Sequence, residues 1–206
     1  MSDNWYDRHV LPYMIDLACG VRPVQRQREK VVPLARGRVL EIGIGTGLNL
    51  CHYDQANVTR LVGLDPAVQM HRLAEKRRRA CGIDVELIGL SAEKIPMGDA
   101  SFDTVVVTFT LCTIPDPVAA LKEMRRVLVP GGTLLYCEHG AAPDEDVLRW
   151  QQRVTPYWKK VAGGCHLDRR IPDLLREAGF TLEQLEQRYL PGPKILTYNY
   201  WGVARA

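Results

Sequence analysis

The sequence predicts an α/β fold: a doubly wound, mostly parallel sheet of seven strands that closes with an antiparallel hairpin. Three observations carry this. Apolar runs near 38–42, 59–64, 84–89, 102–108 and 132–138 alternate with helical patterns near 47–53, 67–81 and 116–128. The first run, Val39-Leu40-Glu41-Ile42, passes directly into Gly43-Ile44-Gly45-Thr46-Gly47, a strand ending in a glycine turn. The tail breaks the alternation, because Phe180 to Leu190 and Ile195 to Val203 read as two strands joined through Pro191-Gly192-Pro193.

Each element has a local reason. Leu48 to Tyr53 is expected to start a helix whose free amides face the glycine turn. The helix after Asp65 presents Met70, Leu73, Ala74 and the stem of Arg77 on one face, and Gly82 stops it; the helix from Pro117 presents Val118, Leu121, Met124 and Leu128. Two segments lie outside this scaffold. Residues 1–36 carry Trp5, Tyr6, His9, Tyr13 and Met14 on expected helices, and residues 144–167 place Val147, Trp150, Val154, Trp158 and Val161 at helical spacing, with Pro156 expected to break the helix. The expectation is one domain over 1–206: a helical lid over 1–36, a core over 37–138, a helical insertion over 144–167, and a helix and hairpin over 168–206.

Composition sets limits. A chain of 206 residues with 46% hydrophobic content can bury a sizeable core without a disulfide or a metal. Its six cysteines include no Cys-x-x-Cys pair, which points to a reducing cytoplasm. His9, His52 and His71 show no spacing with carboxylates or cysteines that suggests ligation, so no metal is expected. A net charge of +3 is too small to imply nucleic acid, and Lys76-Arg77-Arg78-Arg79 would splay around a helix rather than form one patch. No leader is apparent, and no apolar run approaches the roughly 20 residues of a membrane span, so stable membrane insertion is not expected.

The glycine turn asks for a ligand that approaches the backbone closely. A dinucleotide site would want another glycine where Leu48 stands, and Glu41 would repel a pyrophosphate, which disfavours a nicotinamide oxidoreductase. Glu41 suits a cationic or zwitterionic ligand instead. One strand later, Arg60-Leu61-Val62-Gly63-Leu64 ends in Asp65, at the spacing of an acid that forks onto two ribose hydroxyls.

With these residues the chain resembles the class I S-adenosylmethionine-dependent methyltransferases, whose sheet is Rossmann-like. Leu90-Ser91-Ala92-Glu93-Lys94-Ile95-Pro96, Ser101-Phe102-Asp103-Thr104-Val105-Val106-Val107 and Arg126-Val127-Leu128-Val129-Pro130-Gly131-Gly132 extend the resemblance in family order. It implies S-adenosyl-L-methionine as cofactor and S-adenosyl-L-homocysteine as product. The residues it implicates in cofactor binding are Glu41, Gly43, Gly45, Gly47, Asp65, Pro66, Ser91, Ala92, Glu93 and Thr108. Many relatives have an acid where Ser91 stands; the Ser91 hydroxyl or the Ala92 backbone would then meet the adenine amino group.

A narrower resemblance follows. Thr110-Leu111-Cys112-Thr113, Cys137-Glu138-His139-Gly140, Trp150-Gln151-Gln152, Pro156-Tyr157-Trp158 and Gly164-Cys165-His166-Leu167 look like segments of the alkyl thiol methyltransferases, in the same order. This implies a small, lipophilic acceptor with thiol sulfur preferred; a lipid headgroup amine or a quinone ring carbon is the alternative acceptor, and a non-catalytic cofactor-binding sensor or partner subunit is the alternative of another class. Direct in-line displacement needs mainly alignment, and a nearby histidine can raise the thiolate fraction of an acceptor. His139 is the first candidate, with Glu138 beside it to orient or charge it, and His166 is the second. Cys112 is expected near the transferred methyl, shaping the pocket rather than attacking.

Overall fold

A computed structural model describes residues 5–206. A seven-stranded sheet runs through it in the order β3-β2-β1-β4-β5-β7-β6. The strands are β1 (Gly37–Ile42), β2 (Val58–Leu64), β3 (Glu86–Ile88), β4 (Phe102–Thr108), β5 (Leu128–His139), β6 (Thr181–Tyr189) and β7 (Tyr198–Arg205). The first five pair in parallel, whereas β7 lies antiparallel between β5 and β6, as the tail predicts. The order reverses at β1 and β4, and the carboxyl ends of these two strands bound the crevice where open α/β sheets take ligands.

The helices are α1 (Trp5–His9), α2 (Leu11–Cys19), α3 (Arg22–Val31), α4 (His71–Cys81), α5 (Pro117–Val127), α6 (Glu145–Val161), α7 (Ile171–Glu177) and α8 (Lys194–Thr197). None of them is long and apolar enough to cross a membrane. Asp116 caps α5 by accepting from the Ala119 amide at 2.9 Å, and Gly82 ends α4 in a left-handed conformation. Two apolar layers cover the sheet. One gathers Leu40, Ile42, Leu121, Met124 and Tyr136; the other gathers Val39, Ile44, Leu50, Leu135 and Trp201.

Four expectations change. The helix expected over 47–53 is a single 3-10 turn, Leu50–His52, because Asn49 turns inward to a polar network and Leu50 packs into the core. Pro156 does not break α6, which continues from Glu145 to Val161 around it. Strand β5 begins at Leu128, four residues before the predicted start, and a register shift between its pairs with Phe102 and Thr104 absorbs Pro130-Gly131. The second hairpin strand starts at Tyr198, since 194–197 coil into α8.

The cysteines also depart from the reading. Although the core needs no disulfide, Cys51 and Cys81 are joined by one with Cα atoms 5.2 Å apart, tying the turn after the glycines to the end of α4. No short motif announces the pair, because 30 residues separate them and only the crossover brings them together.

Candidate active site

The glycine turn leaves β1 with Gly43, Gly45 and Gly47 all at positive φ, at 69°, 52° and 80°. Gly43 donates its amide to Leu64 O at 2.7 Å, and a side chain there would collide with Thr110. The Asp65 carboxylate sits beneath this turn, accepting from the Gly45 amide at 2.8 Å and the Ala67 amide at 2.7 Å. Burial pushes its pKa upward against these two bonds. Each carboxylate oxygen still has a free lone pair for a diol.

Around this floor lies a cavity of about 460 Å³. Gly43, Gly45, Asp65, Pro66, Ser91, Ala92 and Glu93 line it, with apolar walls from Met70 and Ile114. Ser91 Oγ donates to Glu93 Oε2 at 2.9 Å, and Glu93 Oε1 accepts from the Asp116 amide at 2.9 Å. A carboxylate for a diol, an apolar slot for a base and a close-approach glycine turn together match the donor and acceptor needs of S-adenosylmethionine.

A second cavity, about 370 Å³, adjoins the first, and Ile15, Phe109 and Thr113 contribute to both. Its wall is largely apolar, including Val24, Trp158, Leu167 and Leu196, and among the described residues it contains no Asp, Glu, Lys or Arg. Phe109 holds a left-handed backbone at φ 53°, a strained position for a bulky residue, and the Arg28 guanidinium stacks on its ring at 4.9 Å from the centroid. This turn redirects the chain from β4 so that Cys112 faces the second cavity.

Three soft donors meet there. His139 Nε2, at the end of β5, lies 3.3 Å from Cys165 Sγ, and Cys112 Sγ joins them so that all three atoms lie within 4.8 Å of one another. The hydrogen bond from Cys112 and the adjacent His139 outweigh burial and hold the Cys165 thiol well below its ordinary value. The same bond, together with burial, pushes Cys112 well above the ordinary thiol value. Burial disfavours charge on His139, but its contact with Cys165 prevails and raises it.

The comparisons with known proteins bear on this geometry. A methyltransferase-domain family model matches residues 40–136. The chain is 34% identical over 174 residues to the thiol S-methyltransferase TMT1B of Homo sapiens, covering 79% of this chain and 70% of that protein. It is 33% identical over 160 residues to the demethylmenaquinone methyltransferase of Thermus thermophilus, covering 75% and 71%. This chain is a class I S-adenosylmethionine-dependent methyltransferase. A solved methyltransferase from Aquifex aeolicus has the same fold, with a TM-score of 0.67 at 18% identity, over 94% of this chain and 97% of that one.

In the methyltransferase, the predicted residues separate into groups. Gly43, Gly45, Asp65, Pro66, Ser91, Ala92 and Glu93 converge on the first cavity. Gly47 does not: a side chain there would press on Leu50 and Ala74, so it serves packing against α4. Glu41 and Thr108 do not either. On β1 the alternation of side chains sends Ile42 to the cavity and Glu41 to the opposite face. The Glu41 carboxyl accepts from Asn49 Nδ2 at 2.9 Å and Tyr53 OH at 2.7 Å, so it is not the cation-binding group expected. Asn49 Nδ2 also donates to Thr108 Oγ1 at 2.9 Å, and Arg28 donates to Asn49 Oδ1 at 2.7 Å. Burial pushes Glu41 up to about 7 despite these bonds.

Glu138 helps to charge the neighbouring His139, as expected, but its hydrogen bonds go elsewhere. Fully buried, it accepts from the amides of Thr110, at 2.9 and 3.1 Å, and Leu111, at 3.1 Å; it clamps the loop after β4 rather than bonding His139. Burial pushes it up to about 7. His166 lines neither cavity; its amide donates to Cys112 O at 2.8 Å, which fixes the neighbouring Cys165. The sequence reading missed Cys165, Arg28 and Phe109. In the segment Gly164-Cys165-His166-Leu167 the histidine is the expected candidate, whereas Cys165 and Leu167 are the members that line the second cavity.

Proposed function

We propose that the methyltransferase moves its methyl group to the sulfur of a small, lipophilic thiol seated in the second cavity. The supporting observation is the makeup of that cavity: apolar walls free of fixed charge, with Cys112, His139 and Cys165 grouped in its lining. S-adenosylmethionine supplies a methyl group on a sulfonium. Gly43, Gly45 and Asp65 hold its methionine and ribose portions, and Ser91, Ala92, Glu93 and Pro66 hold its adenine. Shared walls at Phe109 and Thr113 put donor and acceptor in contact, and alignment at about 3 Å supplies most of the acceleration of an in-line displacement. The three soft groups set the ionisation of the bound thiol, which is otherwise only a few per cent thiolate at neutral pH.

A lipid headgroup fits less well, because a phosphate wants Arg or Lys and the cavity wall offers neither. A quinone precursor shares the apolar requirement and is the second reading, favoured by the demethylmenaquinone methyltransferase relative. Formation of S-adenosylhomocysteine is to be measured with an alkyl thiol, hydrogen sulfide, a phosphatidylethanolamine micelle and a short-chain quinone precursor. Turnover with the thiols alone is expected. Product from the quinone or the lipid would replace the thiol assignment, and silence throughout with cofactor bound would favour a sensor or partner subunit.

A further inference from the structure

We propose that Cys112, His139 and Cys165 form a zinc site whose fourth position opens into the acceptor cavity. Two thiol sulfurs and an imidazole nitrogen are a soft donor set that selects zinc, and three protein ligands with one open position are the arrangement of catalytic zinc. Zinc–sulfur bonds of about 2.3 Å and a zinc–nitrogen bond of about 2.0 Å at tetrahedral angles require donors roughly 3.5–3.8 Å apart. Here the three donor atoms already lie within 4.8 Å, with Cys165 Sγ and His139 Nε2 at 3.3 Å, so small side-chain adjustments complete the triangle.

The triangle is built from three separate elements that are tied together. Cys112 stands in the loop after β4, His139 at the end of β5, and Cys165 in the loop after α6. The His166 amide bonds to Cys112 O, Arg169 donates to Leu111 O, and Glu138 holds the amides of Thr110 and Leu111. Such bracing preorganises a ligand set. All three residues line the second cavity, so a fourth ligand must come from there. Trp158 adds an independent observation. Its Nε1 is buried in the same cavity wall and is directed at the Cys165 sulfur, a donor suited to a sulfur anion.

The role of the metal rests on the thiol reading above; its binding does not. A thiol entering the cavity would take the fourth position: its S–H bond breaks and the proton leaves to solvent, the sulfur's electron pair forms the new bond to the methyl carbon, and the bond from that carbon to the sulfonium breaks with its pair kept by S-adenosylhomocysteine. The neutral thioether product is a weaker ligand and departs.

The experiment uses the full chain without reductant, so that Cys51 and Cys81 stay joined. Zinc is titrated in competition with a chromophoric chelator, and cobalt(II) is substituted for spectroscopy. The expected result is one zinc per chain, with tetrahedral cobalt bands and a sulfur-to-cobalt charge-transfer band. Cys165→Ser and His139→Ala should each weaken zinc binding on the order of 100-fold, while the double variant Cys51→Ser/Cys81→Ser retains it. S-adenosylhomocysteine binding, which uses the separate Asp65 floor, reports that each variant is folded. Equal zinc binding by wild type and the Cys165 and His139 variants, or cobalt spectra without the charge-transfer band, would overturn the site. Thiol turnover that persists in zinc-free protein would remove the metal and leave the thiol assignment standing; stoichiometric zinc without thiol turnover would do the reverse.

Discussion

Arg77 reaches from α4 to Asp16 on α2, with its guanidinium nitrogens 2.7 and 3.0 Å from the two carboxylate oxygens. The same guanidinium donates to Thr46 O at 2.7 Å, and Thr46 Oγ1 donates to Asp16 at 2.6 Å, so α2 is fastened directly to the glycine turn. Burial would raise the Asp16 pKa, but its bonds from Arg77 and Thr46 prevail and hold it below the usual carboxylate value. Leu11 and Ile15 of this helix wall the first cavity, and Ala18 and Cys19 wall the second, the proposed cofactor and acceptor sites.

Loosening that fastening should therefore speed the exit of cofactor. Asp16→Ala is expected to increase S-adenosylhomocysteine dissociation about 5-fold, the equivalent of roughly 1 kcal/mol for a partly exposed pair. Stopped-flow displacement measures it; an unchanged off-rate would show that α2 does not gate the cavity.

Asp65→Ala should weaken cofactor binding by about 1.5–3 kcal/mol, or roughly 10- to 150-fold. Part of that loss is indirect, because the carboxylate also holds the Gly45 and Ala67 amides. Asp65→Asn, which keeps one acceptor oxygen, should fall between the two in calorimetric titration. Wild-type affinity in the alanine variant would refute the ribose assignment.

Glu138→Ala should cost stability rather than chemistry alone, since two buried amides, those of Thr110 and Leu111, lose their acceptor. About 3 kcal/mol is expected, a drop in Tm of roughly 6–12 °C. Glu138→Gln should recover part of it. A Tm within a degree of wild type would mean the loop finds other acceptors.

Stability should also depend on Glu41. Burial raises its folded pKa to about 7, so the native chain keeps a proton that the unfolded chain releases near the ordinary value. Its contribution is present below about 4.5 and is lost as pH rises through 7, on the order of 3 kcal/mol. Glu41→Gln should flatten the Tm profile between pH 5 and 8, and an unaltered slope would assign that dependence to another group.

Trp158 is the reporter of the second cavity, because of the four tryptophans it is the one in that cavity's lining; Trp5 and Trp150 are 71% and 54% exposed, and Trp201 is buried on β7. Adding a thioether product should change tryptophan emission, and Trp158→Phe should abolish the change. A response that survives in this variant would relocate the acceptor.

Much of the site was legible because strand alternation and glycine turns are local. The run from Val39 to Gly47, the acid Asp65 and the segment Ser91-Ala92-Glu93 lie on successive crossovers, and backbone geometry alone brings them to one crevice. Local rules also misled. Glu41 and Glu138 stand next to site residues in sequence, yet a strand sends neighbours to opposite faces, so both carboxyls are buried in hydrogen bonds behind the site.

The sequence by itself determined the fold class and the cofactor, and it named Gly43, Gly45, Asp65, Pro66, Ser91, Ala92 and Glu93, which line the first cavity. Only the tertiary structure brought the lining of the second cavity together. Cys112, His139 and Cys165 are up to 53 residues apart in the chain and share no motif spacing, and Asp16 meets Arg77 across 61 residues. Their meeting depends on how three loops and a covering helix pack over the sheet, and no periodicity or composition encodes such long-range contacts.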